Sequence, residues 1–153
     1  MFEIINRKDI VYIRLSKGNS CEIETTPFCD ADNNKIYDPD KNDKPIMLGE
    51  NDYILFVVTS GSGRKYLTKI ITNADYNEQQ ILTLKLKPVD TLKLEPHCYN
   101  FSFTYLPNAG EDAYTYAEGK FELLPVCGTV EDLPKKGADK SYDTEKGDVN
   151  VGD

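Results

Sequence analysis

The chain has 153 residues and a mass of 17.3 kDa, enough for one domain with its own core and short for two. Its 18 basic and 26 acidic residues give a formal charge of −8, a balance that repels phosphate backbones and argues against nucleic acid as a partner. No apolar run approaches the ~20 residues that cross a bilayer, and Met1-Phe2-Glu3-Ile4-Ile5-Asn6 lacks the basic stretch and apolar core of a secretory signal, so neither a membrane partner nor export is expected.

Along the chain the apolar residues recur with a period of two. Val11, Ile13 and Leu15 form one row, and Cys21 and Ile23 alternate with Glu22 and Glu24 after a Lys17-Gly18-Asn19 turn. Residues 53–58 are apolar on both faces, as in a strand covered on both sides. Ser60-Gly61-Ser62-Gly63 then reads as a hairpin turn into a strand over residues 65–71. Leu82, Leu84 and Leu86 alternate with Thr83, Lys85 and Lys87. Asp90 before Thr91 is a cap for one helical turn through Leu94, ended by Pro96. The clearest strand covers residues 99–105: Tyr99, Phe101, Phe103 and Tyr105 share a face opposite Asn100, Ser102 and Thr104. Asn108-Ala109-Gly110-Glu111-Asp112 breaks the chain, and a last strand covers residues 120–124. Seven or more short strands with Gly- and Pro-rich turns predict an all-β, antiparallel sandwich over residues 1–127.

Residues 128–153 read differently. Seven acids, four lysines and six apolar residues cannot bury enough surface to order the segment. It is expected to be an extended, acidic C-terminal arm that binds by wrapping a neighbour, with Pro134, Tyr142, Val149 and Val151 as candidate partner contacts.

Motifs for chemistry are sparse. Asp30-x-Asp32-x-Asn34 resembles the opening of a calcium loop, but Lys35 replaces the required glycine and Lys41 the closing glutamate. Starting at Asp38-x-Asp40-x-Asn42 fails likewise, with Asp43 and Gly49 at those positions. Asp30, Asp32 and Asn34 therefore stand as a weak oxygen-ligand set, and no cofactor is expected. Cys21, Cys29, Cys98 and Cys127 include no close pair for zinc, and read as reduced thiols. His97 adjoins Cys98 on a strand, where neighbours point to opposite faces; pairing of His97 with another cysteine stays open as the one nucleophile–base option. Glu22 and Glu24 read as the wet face of an outer strand rather than a glycosidase pair. Ser60-Gly61-Ser62-Gly63-Arg64-Lys65 precedes a strand, whereas phosphate loops feed a helix. Tyr105, Tyr114 and Tyr116 are either packing residues or a platform for sugars and proteins.

The segment Leu84-x-Leu86-x-Pro88-x-Asp90-Thr91-Leu92-x-Leu94-x-Pro96-x-x-Tyr99-x-Phe101, followed by Gly119-x-Phe121-x-Leu123, resembles a tailed-phage family. That family is the immunoglobulin-like N-terminal domain of baseplate upper proteins and related small virion proteins. Gly49-Glu50-Asn51-Asp52 before an apolar strand also fits, so the resemblance spans about residues 8–127. It departs from the family where Pro96-His97 stands in place of a common glycine, and where an acidic tail replaces a receptor-proximal continuation. The resemblance implies a non-catalytic virion part assembled in the bacterial cytoplasm, an adaptor or decoration domain held on other phage structural proteins or on copies of itself. A carbohydrate- or host-receptor-binding module is the alternative it leaves.

Overall fold

The computed structural model describes residues 2–7, 10–29, 34–109, 112–125, 141–144 and 147–150. Its strands are β1 (Phe2–Arg7), β2 (Ile10–Ser16), β3 (Cys21–Thr25), β4 (Phe28–Cys29), β5 (Lys44–Pro45), β6 (Tyr53–Thr59), β7 (Lys65–Ile71), β8 (Leu82–Leu86), β9 (His97–Leu106), β10 (Tyr114–Leu124), β11 (Ser141–Thr144) and β12 (Gly147–Asn150). One short helix, α1 (Pro88–Leu92), lies between β8 and β9. The chain is all-β in class.

Six strands form one sheet in the order β1-β2-β10-β9-β6-β7, and β3 pairs with β8 in a separate two-stranded sheet. Alternation decides which residues meet. Ile13 and Leu15 of β2, Phe121 and Leu123 of β10, Tyr99, Phe101 and Phe103 of β9, and Ile54, Phe56 and Val58 of β6 lie on one face of the large sheet. They form a single buried cluster with Ile23 of β3 and Leu82, Leu84 and Leu86 of β8. The three leucines and the aromatic row of β9 are thus buried as the alternation predicts. The opposite face of the sheet is polar at its β1–β2–β10 end, where Arg14 bridges Glu3 at 3.0 Å and Glu122 at 2.9 Å.

The all-antiparallel expectation fails at one seam: β2 runs parallel to β10, with Ile13 beside Phe121. Parallel neighbours need a long connection, and here nearly the whole chain lies between them, so no local turn signals the pairing. Gly119 makes the seam close. A Cβ there would lie 2.2 Å from the Val11 carbonyl oxygen and 2.8 Å from the Phe101 ring, so only glycine lets the ring lie across the strand. Further up, β10 is irregular between Thr115 and Ala117, and the extra residue, Tyr116, is buried.

Other expectations are adjusted locally. The helical turn begins at Pro88 rather than after Asp90; Asp90 reaches back to accept the Lys87 N–H at 2.7 Å. Pro88 explains the shift, since its fixed φ and missing donor suit a first helical position. The Lys17-Gly18-Asn19 turn joins β2 to β3 across the two sheets, and Gly18 adopts a φ of 81°. The Ser60–Gly63 hairpin forms as read, with Gly63 donating to the Ser60 carbonyl at 3.0 Å and a φ of 90° at Gly63. In the C-terminal arm, β11 pairs antiparallel with β12, so these two segments have regular structure where an extended chain is expected. Only two residues separate the strands, a length suited to local hairpin pairing, which needs backbone hydrogen bonds rather than a large core. Tyr142 stands opposite Val149 in that register, while Pro134 and Val151 lie outside the described residues.

Two substitutions check this core. Phe101, 4% exposed, should cost roughly 3–5 kcal/mol when truncated to alanine. Gly119→Ala should cost about 1–3 kcal/mol by forcing the parallel seam apart. Urea denaturation of both variants is the measurement, and a Gly119→Ala protein as stable as the parent would contradict the close approach.

Candidate functional site

A concavity follows from the unequal size of the two sheets. β3 and β8 cover only part of the six-stranded face, and the segment after β4 borders what remains. There Phe28, buried in β4, meets the Tyr37 ring edge-on at 5.3 Å and the Tyr116 ring at 5.8 Å. Tyr116 in turn stacks on Phe103 at 6.0 Å, so a line of aromatic rings runs from the surface into the core. Beside this line lies a groove of about 680 Å³ lined by Ile4, Ile13, Ile23, Ile36, Phe103 and Glu24, among others. Val11, Lys35, Ile36, Phe101 and Glu118 also border a second recess of about 570 Å³, whose wall is more polar: Asn34, Thr59, Asn100, Ser102 and Lys120.

Several polar groups in and around the groove and the recess are tied to the fold. The Tyr116 hydroxyl is hydrogen-bonded to the Thr25 hydroxyl, and burial holds its phenol well above the usual range. Tyr114 donates to the Phe28 carbonyl at 2.9 Å, and Lys120 donates to Asn100 at 2.7 Å. Tyr105 is 8% exposed and Tyr116 1%, so these tyrosines are packing residues rather than an exposed platform. Tyr37, 43% exposed, is the aromatic that the groove presents to solvent. An apolar floor with a few polar groups at one end suits recognition of a ligand or chain segment.

The other predicted positions separate. Asp30 and Asp32 lie outside the described residues, and the Asn34 side chain accepts the Ile36 N–H at 3.0 Å. Asp38 accepts the Asp40 N–H at 3.0 Å, and Asp43, 3% exposed, accepts the Asp38 N–H at 2.9 Å. These carboxylates close a single 3₁₀ turn that ends at Asn42 with a φ of 69°. Among the described residues no three His, Cys, Asp or Glu side chains gather as metal ligands do, and no helix is long and apolar enough to cross a membrane. His97 stands at the start of β9 with its ring against Tyr99 at 5.2 Å. Cys21, Cys29 and Cys98 are free thiols, and Cys127 lies outside the described residues. Burial, together with the Asp90 and Glu22 carboxylates, pushes the Cys21 thiol up to about 11. Glu22 and Glu24 are exposed on β3, opposite Lys85 and Thr83.

Several anchoring side chains have little signature in the sequence. Asp52 accepts from the Gly49 N–H at 2.8 Å, the Asn108 N–H at 3.0 Å and the Tyr105 hydroxyl at 3.4 Å. These bonds hold its carboxyl below the ordinary range and join the loop before β6 to the loop after β9. Thr91, wholly buried, accepts the Gly18 N–H at 3.0 Å, and Asp90 pairs with Lys69 of β7 at 3.1 Å. Tyr99 donates to the Glu95 carbonyl at 2.7 Å, four residues upstream. The spacing of Gly49 and Asp52 is the one available clue, an acceptor three residues beyond a free N–H.

Against family models and curated proteins, the chain has no match.

Two outcomes follow from these environments. Cys21 should react with iodoacetamide at pH 8 about a hundredfold more slowly in the folded protein than in urea, because so little thiolate is present; a mass-spectrometric time course with equal rates would refute its burial. Asp52→Ala should cost about 1–2 kcal/mol near neutral pH. Because the folded pKa is lowered, that stabilisation is complete above the ordinary carboxylate value and is lost as pH falls through the folded one. The gap between parent and variant melting temperatures should therefore close in acid, and a gap independent of pH would exclude the carboxylate as its source.

Proposed function

We propose that this chain is an immunoglobulin-like, non-catalytic structural domain of a tailed-phage particle, an adaptor or decoration subunit that assembles in the bacterial cytoplasm and is held on neighbouring virion proteins. The observation that carries the reading is the structural work done by the residues of the family resemblance. Asp52 joins two loops, Asp90 and Thr91 tie α1 to β7 and to Gly18, and Gly119 admits the Phe101 ring. The strand order supports the immunoglobulin-like assignment: with β1 as an addition at the edge, β2-β10-β9-β6-β7 on one side and β3-β8 on the other resemble the two sheets of that fold. The Tyr99 hydroxyl bonded to an upstream carbonyl has the character of the tyrosine corner at the start of the sixth strand. Pro96-His97, where the family commonly has glycine, stands at the entry to β9, which begins at His97.

A carbohydrate- or receptor-binding role is the second reading, favoured by the recess with Asn34, Asn100, Ser102 and Lys120 beside exposed Tyr37. Density-gradient fractionation of particles from the host that expresses the chain separates the two from a cellular role. Peptides of this chain should co-sediment with the major capsid protein at a constant ratio across the particle peak. Their absence from washed particles would remove the virion assignment, and robust glycan-array binding by the purified chain would favour the second reading.

A further inference from the structure

Successive side chains of a strand point to opposite faces, so a recess lying over one face meets every second residue. The groove of about 680 Å³ is instead bordered by four residues in a row, Ile23, Glu24, Thr25 and Thr26. It therefore runs along the side of β3 and not over its face. No described residue of β8 borders it, which puts it on the side of β3 away from β8. Among the described residues no strand pairs with that side. Ile4 and Val11 form the far wall, and the inner face of the large sheet, at Ile13, Phe101 and Phe103, forms the floor. This is the place that a third strand of the small sheet would take.

We propose that the groove receives an extended segment of a partner protein, which adds as a strand to the open side of β3 with apolar residues inward and basic residues outward. Main-chain pairing gives such additions their affinity, and pockets for alternate side chains give their specificity. The inward residues cover Ile36 and Tyr37, which border the groove at 37% and 43% exposure, and extend the small sheet over Phe101 and Phe103.

Charge selects the outward residues. Glu24 on β3 and Glu118 on β10, both exposed, border the groove from the two sheets. Among the described residues of the lining Lys35 is the one cation, half-buried and with a contact of its own. The outward face of β3 is Glu22, opposite Lys85, and Glu24, opposite Thr83. Opposite charges across neighbouring strands are favourable and like charges are not, so lysine or arginine suits the incoming strand. The same rule turns away a second copy. Two β3 strands paired antiparallel about Ile23 set Glu22 of each against Glu24 of the other, between chains that each carry −8. Such binding is a property of the purified full-length chain, so it can fail while co-sedimentation with particles holds, and the reverse.

The chain has no tryptophan, so a tryptophan-bearing peptide reports on its own surroundings. The probe is an N-acetylated peptide amide, Lys-Val-Lys-Trp-Lys-Val-Lys. Its controls are the counterpart with glutamate for lysine, and Lys-Lys-Val-Trp-Val-Lys-Lys, of the same composition without the alternation. Titrated with the full-length protein, the probe should shift its emission to the blue and saturate with a Kd on the order of 10–100 μM, as suits a contact well below the ~1,600 Å² of a standard interface. Both controls should bind at least about tenfold more weakly. Glu24→Lys and Ile36→Lys should each weaken the probe at least about tenfold, whereas Ile70→Lys, 63% exposed on β7, should leave it unchanged; circular dichroism checks that the variants stay folded. Amide exchange over residues 22–26 should slow when the probe is bound. No saturable shift up to about 1 mM, equal binding by the non-alternating peptide, unchanged binding in both groove variants, or unaltered exchange over residues 22–26 would each overturn the proposal. So would a parent dimer that the probe dissociates in sedimentation velocity, which gives the groove to a second copy. A synthetic peptide of residues 128–153 that displaces the probe would overturn it too, by giving the groove to the chain's own arm.

Discussion

The contact between Gly119 and the Phe101 ring is the constraint on which the rest of the packing depends. β10 sits between a parallel neighbour, β2, and an antiparallel one, β9, and its inner face must accept side chains from both. At Gly119 there is no room for a Cβ, and the space it would fill is taken by the Phe101 ring and the Val11 carbonyl. Phe101 then packs at 5.9 Å from Phe103 and 6.1 Å from Phe56, and Phe56 at 6.3 Å from Phe121. One missing methyl group therefore lets four aromatic rings from three strands share a core that the small second sheet covers. Dispersion among such rings is individually slight and collectively large, and it falls off quickly when neighbours are forced apart.

Around that core, side chains at the strand ends do what longer helices or disulfides do elsewhere. Thr91 receives a backbone N–H from the β2–β3 turn, so α1 is tied to a loop 73 positions away in sequence. Lys69, on the core side of an edge strand, points at Asp90 and links the large sheet to the same helix. Tyr99 closes the passage from α1 into β9. Each such bond contributes on the order of 1 kcal/mol net, but each also satisfies a polar group in a place where leaving it unpaired would be worse. The loops are consequently fixed to the core rather than hung from it.

Legibility in the sequence followed regularity. β8 and β9 alternate without interruption, and their inward residues are read correctly from pattern alone; β6 is apolar at every position from 53 to 58, so its inward residues, Ile54, Phe56 and Val58, are set only by the register with β9. β10 alternates through Phe121 and Leu123 but slips between Thr115 and Ala117, so that Tyr114 and Tyr116 face the core in one phase and Ala117 and Gly119 in another. A pattern of period two sees only its last five residues. β1 is hidden for a different reason: Phe2 and Ile4 alternate, but two apolar positions are too short a row for a period of two to stand out. The parallel seam is invisible because pairing between residues 11 and 119 leaves no local mark. The groove was not legible at all, since it arises from one sheet being narrower than the other. For Asp52 the spacing from Gly49 is a local clue to one of its bonds, and Asp90-Thr91 reads as a helix cap, but the long-range partners Asn108 and Gly18 leave no local mark.

The distribution of polar groups bears on what kind of function the fold supports. Several of the hydroxyls and carboxylates that a sequence scan singles out are engaged within the fold: Asp38 and Asp43 in a 3₁₀ turn, Asp52 between two loops, Tyr114 on the Phe28 carbonyl and Tyr116 on the Thr25 hydroxyl. Groups held in this way are pre-organised for stability and have little capacity left for a substrate. Exposed apolar side chains are a different case, among them Phe2, Ile4, Ile36 and Tyr37. Exposed apolar surface carries a cost in water that is removed only by covering it. Ile4, Ile36 and Tyr37 all line the aromatic groove, so whatever fills the groove also covers them.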